Sequence, residues 1–379
     1  MKIKISTLKD AMNKIGVFVD QNSTVEACKT IHFSNKDNKA SIFATDTCHA
    51  GRVFFETDER DAFDFCVNYS DLCRCVYMRG DEVEFKRFSD RRMPNGETAS
   101  GIDLNCGRTK IACVEQKLGK LEKFEKGCKI PTDCPSFAMN AKILKKAVSE
   151  SKFGKEKSCT PQDPWIGGLH MKADGDSLYI EATNRTIVTA WRSPQPVLEG
   201  MEPEKADTIL MDKGINALMK YNDDENVSVY FGNGQVVMAS DTMETYTRSI
   251  SAEFPNTSPL FKKECVASYE ISLADAKAMM RQFDDKSFGF IDLSFRENEV
   301  EVSGSDSNCS VDDAIPCKRL SGGDQEVCVT TRIFNEIINT IAGEKLRIDF
   351  LSQGSKSSIL SYVGEDGAYG LLSPRKRAR

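Results

Sequence analysis

Three stretches of the chain repeat one order of apolar and polar positions. Phe63 to Phe85 (FDFCVNYSDLCRCVYMRGDEVEF), Ile209 to Phe231 (ILMDKGINALMKYNDDENVSVYF) and Val327 to Phe350 (VCVTTRIFNEIINTIAGEKLRIDF) each begin with a short apolar strand. A polar cap, about three turns of amphipathic helix, a Gly/Asp/Asn-rich stop and an alternating strand ending in Phe follow in each. The pattern predicts strand, helix, strand units of nearly equal length. A related unit opens each third of the chain, at IKISTLKDAMNKIGVFV from Ile3, FAMNAKILKKAVSESKF from Phe137 and YEISLADAKAMMRQFDD from Tyr269. In each, a brief strand passes through a polar start into a helix. A third repeated pattern is strand, small-residue turn, strand: EATNRTIVTAWR (Glu181 to Arg192), FATDTCHAGRVF (Phe43 to Phe54) and, more weakly, VSGSDSNCSVDD (Val302 to Asp313).

Each third therefore holds two helices and a surplus of strands, an α+β arrangement of three tandem domains. The length of 379 residues exceeds what one core organises. Prolines and polar residues at Lys129 to Pro135 and at Glu253 to Glu264 place the boundaries, giving 1–131, 132–255 and 256–379. Lys86 to Lys110 has no later counterpart of the same length; its Pro-Asn-Gly turn predicts an exposed hairpin or loop insertion.

Composition adds limits. An apolar fraction of 40% with 28% charged residues is that of a globular chain. No run approaches the ~18 apolar residues of a spanning helix, and the N-terminus lacks a signal-peptide core. A cytoplasmic protein with no membrane partner is expected. Fourteen cysteines at irregular spacing predict free thiols. A zinc site built from Cys66, Cys73, Cys75, Cys128 and Cys134 with His32 or His49 has no CxxC pair behind it, and buried apolar cysteine is the plainer reading. Neither a metal nor another cofactor is expected. The sequence has no Walker A loop, no GxGxxG after a strand, no GxSxG elbow and no HExxH. ADGDSL from Ala173 matches a calcium loop for three residues and then reads as a hairpin turn. A non-catalytic protein is expected.

Net charge is −6, against retention on nucleic acid by the overall field. Basic residues nevertheless concentrate on the predicted helices: Lys9 and Lys14; Arg74 and Arg79; Lys142, Lys145, Lys146 and Lys152, followed by Lys155 and Lys157; Lys213 and Lys220; Lys277 and Arg281; and Arg332. Any one helix reads as a solvated face; the repetition suggests a phosphate-facing surface.

Taken in order, these units resemble the bacterial DNA polymerase III beta subunit, the sliding clamp, over essentially the whole chain. SLYIEATNRTIVTAW is similar to that family's second-domain ATDGHRLA segment, EFPNTSPLF to its FPDYRRVLP linker, and DGAYGLLSPRK to its AYVVMPMRL end. The resemblance implies a head-to-tail homodimer whose six clamp-type domains, each of two strand-helix-strand halves, form a ring. Helices would face double-stranded DNA without reading its sequence, and the clamp would tether a replicative DNA polymerase. A clamp loader and other clamp-binding peptides would be further partners, in the nucleoid-associated cytoplasm. It also implies a peptide groove at Ile166, Thr183, Arg185, Thr186, Val188, Pro255, Leu371, Leu372, Ser373 and Pro374, and a dimer contact near Gln282 and Phe283. The family's Gly-His-Arg becomes Arg185-Thr186-Ile187, its Arg-Arg-Val becomes Ser258-Pro259-Leu260, and its Met-Pro-Met becomes Leu372-Ser373-Pro374 before a basic tail, RKRAR, that reads as a solvated terminus. The alternative is a repeat-built scaffold that binds protein and does not encircle DNA. A two-domain trimeric clamp shares the grammar but not the three repeats.

Overall fold

Among the described residues, six of the eight α-helices form where the 3.6-residue pattern puts them. The computed structural model describes residues 1–174, 177–193, 206–232, 234–283, 286–352 and 358–375. Its α-helices are α1 (Ile5–Ile15), α2 (Tyr69–Cys73), α3 (Gly119–Gly127), α4 (Ala141–Ser151), α5 (Asp212–Leu218), α6 (Ser258–Phe261), α7 (Leu273–Met280) and α8 (Thr331–Thr340). Helix α1 buries Leu8, Ala11, Met12 and Ile15, and α8 buries Ile333, Phe334, Ile337 and Ile338. Those spacings make one apolar stripe per helix. Helix α2 is shorter than three turns and tightens into a 3-10 turn, Arg74–Tyr77.

Residues Met1–Ile143 and Leu210–Ser249 form one compact unit, and Leu144–Ile209 with Ile250–Arg379 another. In the first, eight antiparallel strands run in the order Phe63–Asn68, Thr30–Lys36, Lys39–Thr45, His49–Glu56, Met243–Arg248, Gln235–Ala239, Asn226–Gly232 and Ser136–Asn140. The seam between early and late segments pairs His49 with Thr247 and Val53 with Met243. A second sheet joins Lys2–Lys4, Glu82–Arg92, Thr98–Cys106 and Thr109–Val114. The core of this unit includes the stacked rings of Phe33 and Phe65, 4.8 Å apart. The predicted hairpin is present: Glu82–Arg92 pairs with Thr98–Cys106, and Gly96 turns the chain at φ 86°.

In the second unit, Ile187–Arg192 pairs on one side with Ser177–Thr183 and on the other with Ala368–Leu372. The sheet continues through Ser358–Gly364, Lys345–Ser352 and Cys265–Ser272 to the strands of the last third, twelve strands in all among the described residues. Asp174 opposes Ser177 across the hairpin predicted at ADGDSL. Tyr269, Phe295 and Phe350 pack within about 6 Å of one another in this unit's core.

Two helices were not anticipated. Helix α3 has a single buried residue, Leu121, too little apolar periodicity to read from sequence. Tertiary contact supplies the missing support: Leu121 joins Phe43, Ala50, Cys66, Val237 and Tyr246, and Glu125 bonds His32 Nδ1 at 2.6 Å. Helix α6 is one turn inside the expected linker, with Pro259 in its first turn.

The cysteines of the described residues are free thiols, and no group of three or more His, Cys, Asp or Glu side chains there is disposed to hold a metal. Burial pushes the Cys66 and Cys75 thiols up to about 12 and Cys128 to about 11, as for cysteines packed among apolar side chains. His32 is instead held between Glu125 and Asp64.

Candidate functional site

The hairpin turn that recurs in the sequence is one hydrogen-bond pattern. Thr183 Oγ1 donates to the Ile187 carbonyl, while Asn184 Oδ1 accepts from the amides of Thr186 and Ile187, both at 3.0 Å. In the first third, Thr45 Oγ1 donates to His49 and Asp46 Oδ1 accepts from Cys48 and His49. Asp306 likewise accepts from Asn308 and Cys309 in the last third. These are side-chain-capped turns, which Asn and Asp favour because their short side chains reach the amides two and three residues on. In the first and second copies, but not the third, the turn throws the next residue into the left-handed region, φ 77° at Thr47 and 73° at Arg185.

Beyond that turn, Val188 lies directly across from Leu371. With Leu351 and Ile359 they form an apolar cluster against which Leu260 and Phe261 of α6 pack. Val188, Leu351 and Ile359 keep 6–7% exposure and Leu371 3%, so the cluster lies near the surface under α6. Of the ten groove residues expected, the structure gathers Val188 and Leu371 here. Their neighbours continue the rim: Ser373 donates its amide to the Thr186 carbonyl at 2.8 Å, and Arg185 ion-pairs with Asp163. Thr183 and Leu372 are buried, Ile166 is buried at 8% exposure, Pro255 and Pro374 are half-buried, and Ser373 is exposed. Sequence reading missed Leu351, Ile359 and Phe261. Strand parity was the available signal for the first two, since Leu351, Asp349 and Arg347 alternate along one strand and Ile359, Ser361 and Val363 along the next.

The chain leading to α6 is fastened down. Phe254 stacks on His170 at 4.3 Å, Thr257 Oγ1 donates to Glu181 at 3.1 Å, and His170 Nε2 meets Asp207 at 2.8 Å. Burial alone would lower the His170 pKa, but the bond to Asp207 and the nearby Glu181 carboxylate, 3.7 Å away, outweigh it and raise it.

The helix cations divide into two groups. Lys9, Arg79, Lys142, Lys152, Lys157 and Arg281 are exposed, and Lys277 is half-buried. The others are engaged: Lys146 with Asp366, Lys213 with Asp46, Arg332 with Glu336, Arg74 loosely with Asp71 at 3.6 Å, Lys220 with Asn13 and Lys155 with the Glu156 carbonyl. Lys145, half-buried on α4, also has a partner. Lys14 corrects its expectation: it is 3% exposed and paired with Asp10 at 2.9 Å, because its stem lies on the buried stripe of α1. Phe283 corrects another. Its ring is 1% exposed and packs on Phe288 at 5.7 Å, so it is a core residue and no exposed anchor. Gln282 beside it is exposed and donates to Asp313 at 2.5 Å. The tail beyond Arg375 lies outside the described residues.

Solved structures share this arrangement end to end. The chain superposes on the Helicobacter pylori beta clamp bound to DNA ligase peptide with a TM-score of 0.83 at 14% identity, covering 99% of both chains. The DNA polymerase III beta subunit of Thermotoga maritima gives 0.80 at 15% identity over 100% of this chain and 99% of that one. This is the sliding-clamp fold. Sequence agrees over a shorter span: the beta sliding clamp of Lactococcus lactis is 23% identical over 251 residues, 63% of this chain and 64% of the relative. That of Staphylococcus aureus is 23% identical over 247 residues, 62% and 63%. The chain thus spans somewhat less than two thirds of the length of the curated relatives it matches. No family model matches it.

Proposed function

We propose that the protein is a sliding clamp: a head-to-tail homodimer of three-domain chains, divided at 1–131, 132–255 and 256–379, whose ring encircles duplex DNA. It performs no catalysis. The observation that carries this reading is the end-to-end match to clamp structures, together with curated clamp relatives. Exposed cations on α1, α4 and its continuation, and beyond α7 supply diffuse, sequence-independent attraction for phosphates. The net charge of −6 discourages DNA elsewhere on the surface, so topology rather than tight contact does the holding.

The apolar cluster of Val188, Leu351, Ile359 and Leu371 beside α6 is the groove in which Leu and Phe anchors of a replicative polymerase, a clamp loader and other clamp-binding peptides dock. A related beta clamp is described bound to DNA ligase peptide, and another, from Pseudomonas aeruginosa, bound to griselimycin. Such a protein works in the nucleoid-associated cytoplasm.

Small-angle X-ray scattering tests the assembly. A mass of twice 42.2 kDa with a hollow-annulus distance distribution is expected, and loaded protein should stay on circular DNA but slip from linear DNA. A monomer at all concentrations, or equal loss from both DNA forms, would favour the scaffold that does not encircle DNA.

A further inference from the structure

The apolar cluster does not end at Leu351. Beside it opens a cavity of about 750 Å³ that shares Leu351 and Phe261 with the cluster. Its lining changes character away from the apolar end. Three cations, Arg192, Lys263 and Arg347, face it with one carboxylate, Asp349. That carboxylate is already satisfied: it is 5% exposed, accepts from Arg347 at 2.6 and 2.9 Å and from Ser268 Oγ at 2.5 Å. Arg192 lies over the Tyr179 ring at 5.2 Å and reaches the Ser177 hydroxyl at 3.4 Å; among the described residues neither it nor Lys263 has an ion-pair partner. In a chain of net charge −6 this is a local positive excess, walled by Tyr179, Tyr369 and Phe261 and continuous with an apolar groove.

We propose that this cavity is a second subsite of the groove, which takes the carboxylates of an acidic stretch flanking the apolar anchors of the partner peptide. The assignment rests on the groove reading above and adds the partner's chemistry. Lys263 and Arg192 receive the carboxylates. The Arg347–Asp349 pair keeps the floor neutral and fixed, and the aromatic rings wall one side of an open cavity, so the ion pairs formed there are partly exposed. The arrangement selects among peptides with the same anchors: those followed or preceded by Glu or Asp bind longer, and those flanked by Lys or Arg are rejected.

The test is fluorescence anisotropy with labelled synthetic peptides that share one Leu/Phe anchor segment and carry three glutamates, three glutamines or three lysines on either its N- or C-terminal side. The glutamate peptide of one polarity should bind about fivefold more tightly than its glutamine twin at low salt, a gain of the size two partly exposed ion pairs give. The gain should shrink in high salt. It should vanish in the Lys263→Gln/Arg192→Gln variant, whose unchanged affinity for the glutamine peptide would show that the groove is intact. Equal affinity for all flanks, or a glutamate preference that survives in the double variant, overturns this subsite and leaves the groove standing. Failure of every peptide to bind overturns both.

Discussion

At the scale of single residues, the repeated turn is where this chain departs most instructively from its relatives. Arg185 occupies a left-handed position at φ 73°, where a side chain costs about 1–2 kcal/mol relative to glycine. The sliding-clamp pattern has Gly at the matching place. The ion pair of Arg185 with Asp163 is largely exposed on the arginine side and offsets little of that. Arg185→Gly should therefore raise stability by about 1 kcal/mol in denaturant titration; a loss would mean that the ion pair outweighs the backbone strain. Asn184→Ala should act oppositely, because two amides lose their acceptor, costing about 1–2 kcal/mol. Gly370 is fixed for another reason: a Cβ there would sit 2.3 Å from the Val188 carbonyl oxygen. Gly370→Ala should lower the melting temperature sharply and, if the proposed groove is used, weaken peptide binding with it, since Val188 is displaced. The sequence displayed the Thr/Asn turn as a repeat, but nothing in the letters at 47 or 185 announces a positive φ.

Among the elements, what was legible followed from periodicity. Helices α1 and α8 carry complete apolar stripes and were readable; α3 carries one buried leucine and was not. The groove was half legible for the same reason. Val188 and Leu371 lie in motifs with a known counterpart, while Leu351 and Ile359 belong to strands whose pairing partners no local pattern names. Lys14 and Phe283 were misplaced because a helix end does not reveal from sequence which side of the stripe faces the core. The His170 cluster ties three elements together and makes stability depend on pH. Its pKa is raised in the fold, so its stabilisation is complete below the ordinary histidine value of about 6.5 and is lost as pH rises through the folded value. His32, also raised by Glu125 and Asp64 against the pull of burial, adds in the same direction. His49, whose pKa burial lowers, contributes in the opposite direction, so melting curves from pH 5.5 to 8.5 should show stability falling with rising pH by the surplus of two raised histidines over one lowered, and His170→Gln should flatten the fall. An unchanged slope would show that the cluster is not protonated on folding.

For the whole molecule, the proposed ring makes the exposed cations of α4 and its continuation a matter of salt dependence. Replacing Lys142, Lys152 and Lys157 together by alanine should leave the mass of the assembly unchanged. It should also lower the slope of log affinity for short duplex DNA against log salt by up to about 3, one counterion per lost phosphate contact. A slope equal to the unsubstituted protein's would remove α4 from the DNA-facing surface. The sheet of the second unit has a further consequence, one of timing. Ile187–Arg192 has Ala368–Leu372 as its neighbour, yet at the ribosome's pace of roughly 5–20 residues per second the later strand emerges on the order of ten seconds afterwards. Throughout that interval the earlier strand is an open edge, with Val188 and Trp191 lacking the strand that covers them. The surface proposed to receive a partner's anchors is thus first a hazard of synthesis, and a nascent chain held on the ribosome short of Ala368 should be captured by holdase chaperones where the finished chain is not.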